Sequence, residues 1–221
     1  MSSGLSLPQT LAIMVSGAGS NLRAIVEACE GGRLSLHPTV VISDQPAAPA
    51  LAYAREAGIA VLPIPIWNYP DREAWERDLA DHLAALEPDL VALAGFMRVL
   101  SPDGVARFAG RMVNIHPSLL PRHPGLHPHR QALKAGDPVH GATVHLVTAV
   151  VDAGPRIAQI RVPVMAGDDE TALIERTKSA EHRLYPLVLE WIARGRLVLT
   201  ADAVFQNGVK LVEPILVNDL I

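Results

Sequence analysis

One α/β domain is the fold that this sequence predicts, and three observations predict it. Short apolar, β-branched runs alternate with stretches of helical periodicity from residue 11 to residue 115, the rhythm of repeated βαβ units. Leu90 to Phe96 is an unbroken apolar run, the pattern of a strand in the middle of a parallel sheet. Asn207-Gly208 lies between two further apolar runs and signals a closing hairpin, because both residues tolerate positive φ. A chain of 221 residues fits one full-sized domain. The expected boundaries are a flexible tail over 1–10, a domain over 11–198, and a C-terminal hairpin and tail over 199–221.

The elements follow in order. Leu11 to Val15 reads as a strand closed by Ser16-Gly-Ala-Gly-Ser20, after which Leu22, Ile25, Val26 and Cys29 recur at helical spacing until Gly31-Gly32. Thr39 to Ser43 is a second strand, Ala47 to Ala57 a second helix, and Ala60 to Ile66 a third strand. Its prolines at 63 and 65 place it at an edge. Arg72 to Leu86 carries Trp75, Leu79, Leu83 and Leu86 on one helical face; Leu90 to Phe96 and Met112 to Ile115 continue the sheet. Four prolines between Pro117 and Pro128 then impose a stiff extended loop, followed by a short helix at His129 to Lys134. Gly141 to Val147 and Ile157 to Val164 read as an antiparallel pair, Glu170 to Ala193 as a long helix, and Leu197 to Val204 with Lys210 to Ile215 as the hairpin strands.

Composition removes several function classes. Hydrophobic residues are 49% and charged residues 19%, far from a disordered composition. The longest apolar run, Leu90 to Met97, is well short of the roughly 20 residues of a membrane span. The start MSSGLSLPQT lacks a secretory signal, and the single Cys29 permits no internal disulfide. A soluble cytoplasmic protein without a membrane partner is expected. Lys plus Arg number 19 against 23 for Asp plus Glu, giving a net charge of −4 and no broad basic surface for nucleic acid.

Six of the nine histidines fall between His116 and His145, so chemistry is sought there. Asn114 and His116 are two apart at a strand end and project to one side, an amide donor beside a proton carrier. Asp152, in the turn Asp-Ala-Gly-Pro155, supplies a carboxylate that would raise the imidazole pKa, or else merely caps its own turn. Ser16-Gly-Ala-Gly-Ser-Asn21 at a strand-to-helix junction fits phosphate binding by free N–H groups; a plain turn with Ser20 as a cap is the alternative. His123, His127 and His129 share the proline loop without a carboxylate at ligand spacing, so no metal is expected. His145 reads as a polar residue on one strand face, and Cys29 and Trp191 as core.

Asn114-Ile-His-Pro-Ser-Leu-Leu-Pro121, with Pro124-Gly-Leu-His127 and His129-Arg-Gln-Ala132, resembles the glycinamide ribonucleotide (phosphoribosylglycinamide) formyltransferases of purine synthesis. The resemblance continues at Gly19-Ser-Asn-Leu22, Ala94-Gly-Phe-Met-Arg98, Gly141 to Thr148, Asp152 with Gly154-Pro155, and Glu181-His182 with Tyr185-Pro186. It implies a single-domain Rossmann-like fold, mostly parallel with helices on both faces. It also implies formyl transfer from 10-formyltetrahydrofolate to the primary amine of glycinamide ribonucleotide, without a metal, in a monomer or homodimer. By the same resemblance Asn114, His116 and Asp152 are the catalytic trio; Gly19, Ser20 and Asn21 hold the substrate phosphate; and Glu181 contacts that substrate. Arg72, Met97, Arg98, Val99, Leu100, Asn114 and the turn Thr148, Ala149, Val150, Val151, Asp152 form the folate side.

Four positions depart from the family pattern. Ala18 replaces asparagine, His123 an aromatic, Pro128 a small or polar residue and Ala153 a glycine. Alanine at 153 would be strained if that turn required φ > 0 there. Relatives acting on transfer RNA carry a further C-terminal domain and the hydrolases an extra N-terminal one, for which this length is not expected to leave room.

Overall fold

The computed structural model describes Leu7 and residues 9–217. In chain order the elements are β1 (Thr10–Val15), α1 (Ser20–Glu30), β2 (His37–Ser43), α2 (Pro49–Glu56), β3 (Ala60–Pro63), α3 (Arg72–Ala85), β4 (Leu90–Leu93), α4 (Pro102–Ala106) and β5 (Met112–His116). The second half adds α5 (Pro128–Ala135), β6 (Val139–Leu146), β7 (Arg156–Pro163), α6 (Glu170–Ala193), β8 (Leu197–Leu199), β9 (Val204–Gln206), β10 (Val209–Lys210) and β11 (Ile215–Val217). Eight strands form the main sheet in the order β11-β7-β6-β5-β4-β1-β2-β3. Only β6 runs antiparallel to its neighbours, β5 and β7; every other pairing in that sheet is parallel. β3 lies at one edge, as its prolines predict.

Both faces of the sheet are covered. Along β1, Leu11, Ile13 and Val15 enter one apolar core with side chains of α1, α2, α5 and α6, while Ala12 and Met14 enter the other with Trp75, Leu79 and Leu83 of α3. The period of two sends alternate residues to opposite faces, so a strand apolar throughout must be buried on both. Trp75 is 1% exposed and its indole N–H donates to the Ile64 carbonyl at 2.8 Å. Burying a large apolar side chain stabilises by about 1.5–3 kcal/mol, and the hydrogen bond removes the indole's desolvation cost. On α6, Tyr185 is fully buried, its hydroxyl shared between the carbonyls of Leu93 and Val113 at 3.1 Å each. That bond fixes α6 against the ends of β4 and β5, where the site lies.

The C-terminus departs from the expected hairpin. Asn207 (φ 52°) and Gly208 (φ 79°) do turn β9 into β10, but the run read as one strand over 197–204 is two strands. Thr200 breaks it: its hydroxyl accepts from the Ala203 N–H at 3.1 Å and its N–H donates to the Ala203 carbonyl at 2.8 Å. β8, β9 and β10 form their own antiparallel sheet, and β11 returns to pair with β7 in the main sheet. Of the expected N-terminal tail, residues 1–6 and 8 lie outside the described residues. Gln9 and Thr10 are held by the Asp89 carboxylate at 2.9 Å from each backbone N–H. Residues 218–221 of the expected C-terminal tail also lie outside the description.

Candidate active site

The C-terminal ends of β4 and β5 open onto a cleft of about 270 Å³, walled by residues 95–100, 125–128 and 147–152. Asn114, His116, Asp152 and His145 meet on its floor. The first two come from β5 and point the same way, as their spacing predicts. His145 comes from β6, where antiparallel register places it opposite Asn114.

Hydrogen-bond chemistry orients each group. His145 Nδ1 lies 3.0 Å from the Leu146 carbonyl, which can only accept, so Nδ1 carries the proton. In the neutral ring Nε2 then accepts from the Asn114 amide nitrogen at 3.1 Å. Asn114 is thereby fixed with its NH₂ inward and one N–H unused by His145. His116 Nε2 donates to the His123 carbonyl at 3.0 Å, while Nδ1 faces the Asp152 carboxylate at 3.3 Å. Both ring nitrogens face acceptors, an arrangement that only the imidazolium satisfies fully.

Burial acts against that charge, and it prevails. The expected rise of the His116 pKa does not occur: desolvation holds it below its ordinary value, outweighing the His123 carbonyl and Asp152. Asp152 moves the other way. Burial works to raise its pKa, but the His145 ring, the Gly125 N–H at 2.8 Å and His116 together hold it low, so the carboxylate stays ionised.

The turn that presents Asp152 decides whether Ala153 is strained. Positive φ falls on Asp152 itself (54°) and not on Ala153, so alanine at 153 carries no such strain. Gly154 is the glycine the turn requires, since a Cβ there would meet the Leu146 carbonyl oxygen at 1.8 Å. Pro128, another departure, occupies the first turn of α5, where a missing N–H leaves no bond unmade.

The turn after β1 adjoins the cleft through two hydrogen bonds: Ser16 N–H donates to the Gly95 carbonyl at 3.0 Å, and Met97 N–H to the Ser16 hydroxyl at 2.8 Å. Gly19 (φ 76°) is the N-cap of α1, no side chain caps the helix, and a Cβ on Gly19 would lie 2.6 Å from that of Ala50. The reading of Ser20 as a cap is therefore overturned, and the first N–H groups of α1 remain available to an anion. Asn21 donates to Glu181 on α6 at 2.7 Å. Burial raises the Glu181 pKa to about 7, with Asn21 and Lys178 pulling against it.

Met97, Arg98, Val99, Leu100 and the turn 148–152 all line the cleft; Arg72 does not. Arg72 lines a neighbouring recess that shares Val99, Leu100 and Ala149 with the cleft, donates to the Val99 carbonyl and pairs with Glu76 at 2.9 Å. Arg98 pairs through Nε with buried Asp44 at 2.8 Å. His129 and His140 are buried with rings 5.0 Å apart, and burial lowers both pKa values to about 4. Among the described residues no three His, Cys, Asp or Glu side chains converge as metal ligands. Cys29 is half-buried against the core, and burial pushes its thiol up to about 11.

Residues 9–189 match the family model described as formyl transferase. The chain is 46% identical to phosphoribosylglycinamide formyltransferase of Escherichia coli strain K12, over 91% of this chain and 95% of that protein. It belongs to the phosphoribosylglycinamide formyltransferase family. Among solved structures, the family member from Coxiella burnetii superposes with a TM-score of 0.88 at 40% identity, covering 94% of this chain and 99% of that one. Glycinamide ribonucleotide transformylase 1 of Symbiobacterium toebii gives 0.86 at 44% identity, covering 93% and 99%. The chain is thus an enzyme of formyl transfer, and the sheet order described above is the family fold.

Proposed function

We propose that the chain moves the formyl group of 10-formyltetrahydrofolate to the primary amine of glycinamide ribonucleotide by direct attack, in cytoplasmic purine synthesis. The observation that carries this reading is the junction of Asn114, His116, His145 and Asp152 on the floor of a cleft with apolar, exposed walls. Met97 (71% exposed), Leu126 (73%) and Val150 (66%) ring that cleft. Apolar side chains left to water around a polar floor fit the flat pteridine and benzoyl groups of a folate. The backbone of 97–100 and of 148–152 offers the hydrogen bonds that would orient it, and Arg72 a cation for its carboxylate end.

The second substrate enters from the β1 side. Its phosphate sits on the N–H groups of Gly19, Ser20 and Asn21 at the positive end of α1. Glu181, with a pKa near neutrality, can accept from or donate to a substrate hydroxyl or amine beside them. The amine nitrogen then attacks the formyl carbon. One C–N bond forms, the formyl oxygen takes the negative charge, and the attacking nitrogen becomes an ammonium. Asn114 turns its spare N–H on the oxyanion, a donor worth on the order of 10²–10³ in rate. His116 starts neutral because it is buried, and gains proton affinity as the oxyanion grows beside it, with Asp152 across the ring favouring the imidazolium. Collapse breaks the bond to N10 of the folate, and the proton lost by the amine ends on that nitrogen. No covalent enzyme intermediate and no metal take part.

Single-turnover mixing of the enzyme with glycinamide ribonucleotide and 10-formyltetrahydrofolate tests the reading. Appearance of the formylated ribonucleotide in step with tetrahydrofolate supports it. Release of free formate without formylated product overturns it in favour of a hydrolase.

A further inference from the structure

We propose that Asp137 and His123 form a brace that positions His116, a deepening that rests on the transfer reading above. The His123 carbonyl is the acceptor that holds His116 Nε2 at 3.0 Å, so the position of that one peptide sets the tilt of the imidazole. That peptide belongs to the proline loop and does not lie in a strand. His123 has φ 53°, a left-handed conformation that is strained for a residue bearing a side chain. Something must keep it there. The Nε2 of the His123 side chain meets the Asp137 carboxylate at 2.7 Å.

Asp137 is built to serve as the fixed end. It is 6% exposed, follows the Gly136 cap of α5, and its N–H donates to the Ala132 carbonyl of that helix at 3.1 Å. Its other oxygen accepts from Arg122 at 2.5 Å, so one buried carboxylate grips two consecutive residues of the loop. Ser118 binds the Arg122 carbonyl at 2.6 Å and closes the loop from the β5 side. Neither His123 nor Asp137 is among the residues that line the cleft. Both act on His116 only through the peptide between them, which makes them positioning residues.

The test uses the full chain with ¹⁵N-labelled histidine and steady-state kinetics on both substrates. His123→Leu removes the link to Asp137; His123→Gln keeps a donor of similar reach. The leucine variant is expected to lose about tenfold in kcat, the scale of a small misplacement of a catalytic group. KM for both substrates should stay within about twofold, and the slowly exchanging Nε2–H signal of His116 should shift or vanish. The glutamine variant is expected to recover both kcat and the signal. Unchanged kcat in His123→Leu, or a fall in kcat with the His116 signal intact, overturns the brace. If the leucine variant does not fold, Asp137→Asn decides on the same two readouts, because its amide sets a donor against one of the two donors it must accept. A parent enzyme that transfers no formyl group would defeat the transfer reading alone, and the ring signal would still decide the brace.

Discussion

Asn114 and Asp152 lie on the same cleft floor but are held there by different means. Asn114 sits in a strand, and the register of β5 against β6 places His145 beside it without strain. Asp152 sits in a turn at positive φ, made possible by Gly154 and secured by the Gly125 N–H from a second loop. The backbone of a strand-borne group inherits its position from the whole core, whereas the backbone of a loop-borne group depends on a few local bonds. Substitution at the first kind should therefore remove chemistry and leave geometry intact. Substitution at the second kind should disturb geometry and, through it, the imidazole.

The largest effects belong to the strand. Asn114→Ala and His116→Ala should each reduce turnover by about 10²–10³, the worth of one group acting on developing charge, with the thermal midpoint close to that of the parent. Activity within a few-fold of the parent in either variant would remove the proposed mechanism.

Glu181, borne on α6, is set by burial. Its folded pKa of about 7 lies above the ordinary 4.5, so the native state holds its proton when the unfolded chain has released it. Stability is therefore fully present below about pH 4.5, falls as pH rises toward 7, and is level beyond. The shift corresponds to about 3 kcal/mol. Glu181→Gln should remove that fall while keeping the bond from Asn21. Denaturation at pH 5, 6, 7 and 8 measures it, and parallel curves for the two proteins would show that the carboxyl does not titrate in this window.

Legibility in the sequence followed the same division. The βα order and the pairing of Asn114 with His116 were readable because period and spacing are local properties. The role of His145 was not, because it comes from pairing β6 against β5, more than twenty residues away along the chain. Its only local mark was alternation with Val144 and Leu146, which fits any half-polar strand. The direction of the His116 pKa was equally hidden, since it depends on how fully the ring is buried and not on the identity of its partner. Where the Asp-Ala-Gly turn takes positive φ is hidden for a related reason: the sequence names the residues that tolerate it, and the packing of the turn against Leu146 decides that Asp152 carries it.

Asp152→Asn tests the loop-borne group directly. The carboxylate raises the His116 pKa against the pull of burial, so its removal should lower that pKa further. Turnover should fall at least about tenfold. Titration of the His116 ring by NMR in both proteins is the measurement. Coincident pKa values with unchanged turnover would reduce Asp152 to a turn residue.

The smallest effect is expected at His145, which orients the Asn114 amide and lies 3.6 Å from Asp152. With Nδ1 bound to the Leu146 carbonyl, the ring offers Asn114 one lone pair and asks nothing else of it. His145→Phe takes away that acceptor, and the amide is then free to turn its oxygen toward the oxyanion, where it repels. A loss of about tenfold in kcat follows if roughly nine-tenths of the amide population misorients. His145→Gln restores a side-chain oxygen able to accept from Asn114, so it should recover much of that loss. Equal loss in both variants would mean that the ring itself, through its 3.6 Å approach to Asp152, contributes something that an acceptor cannot replace.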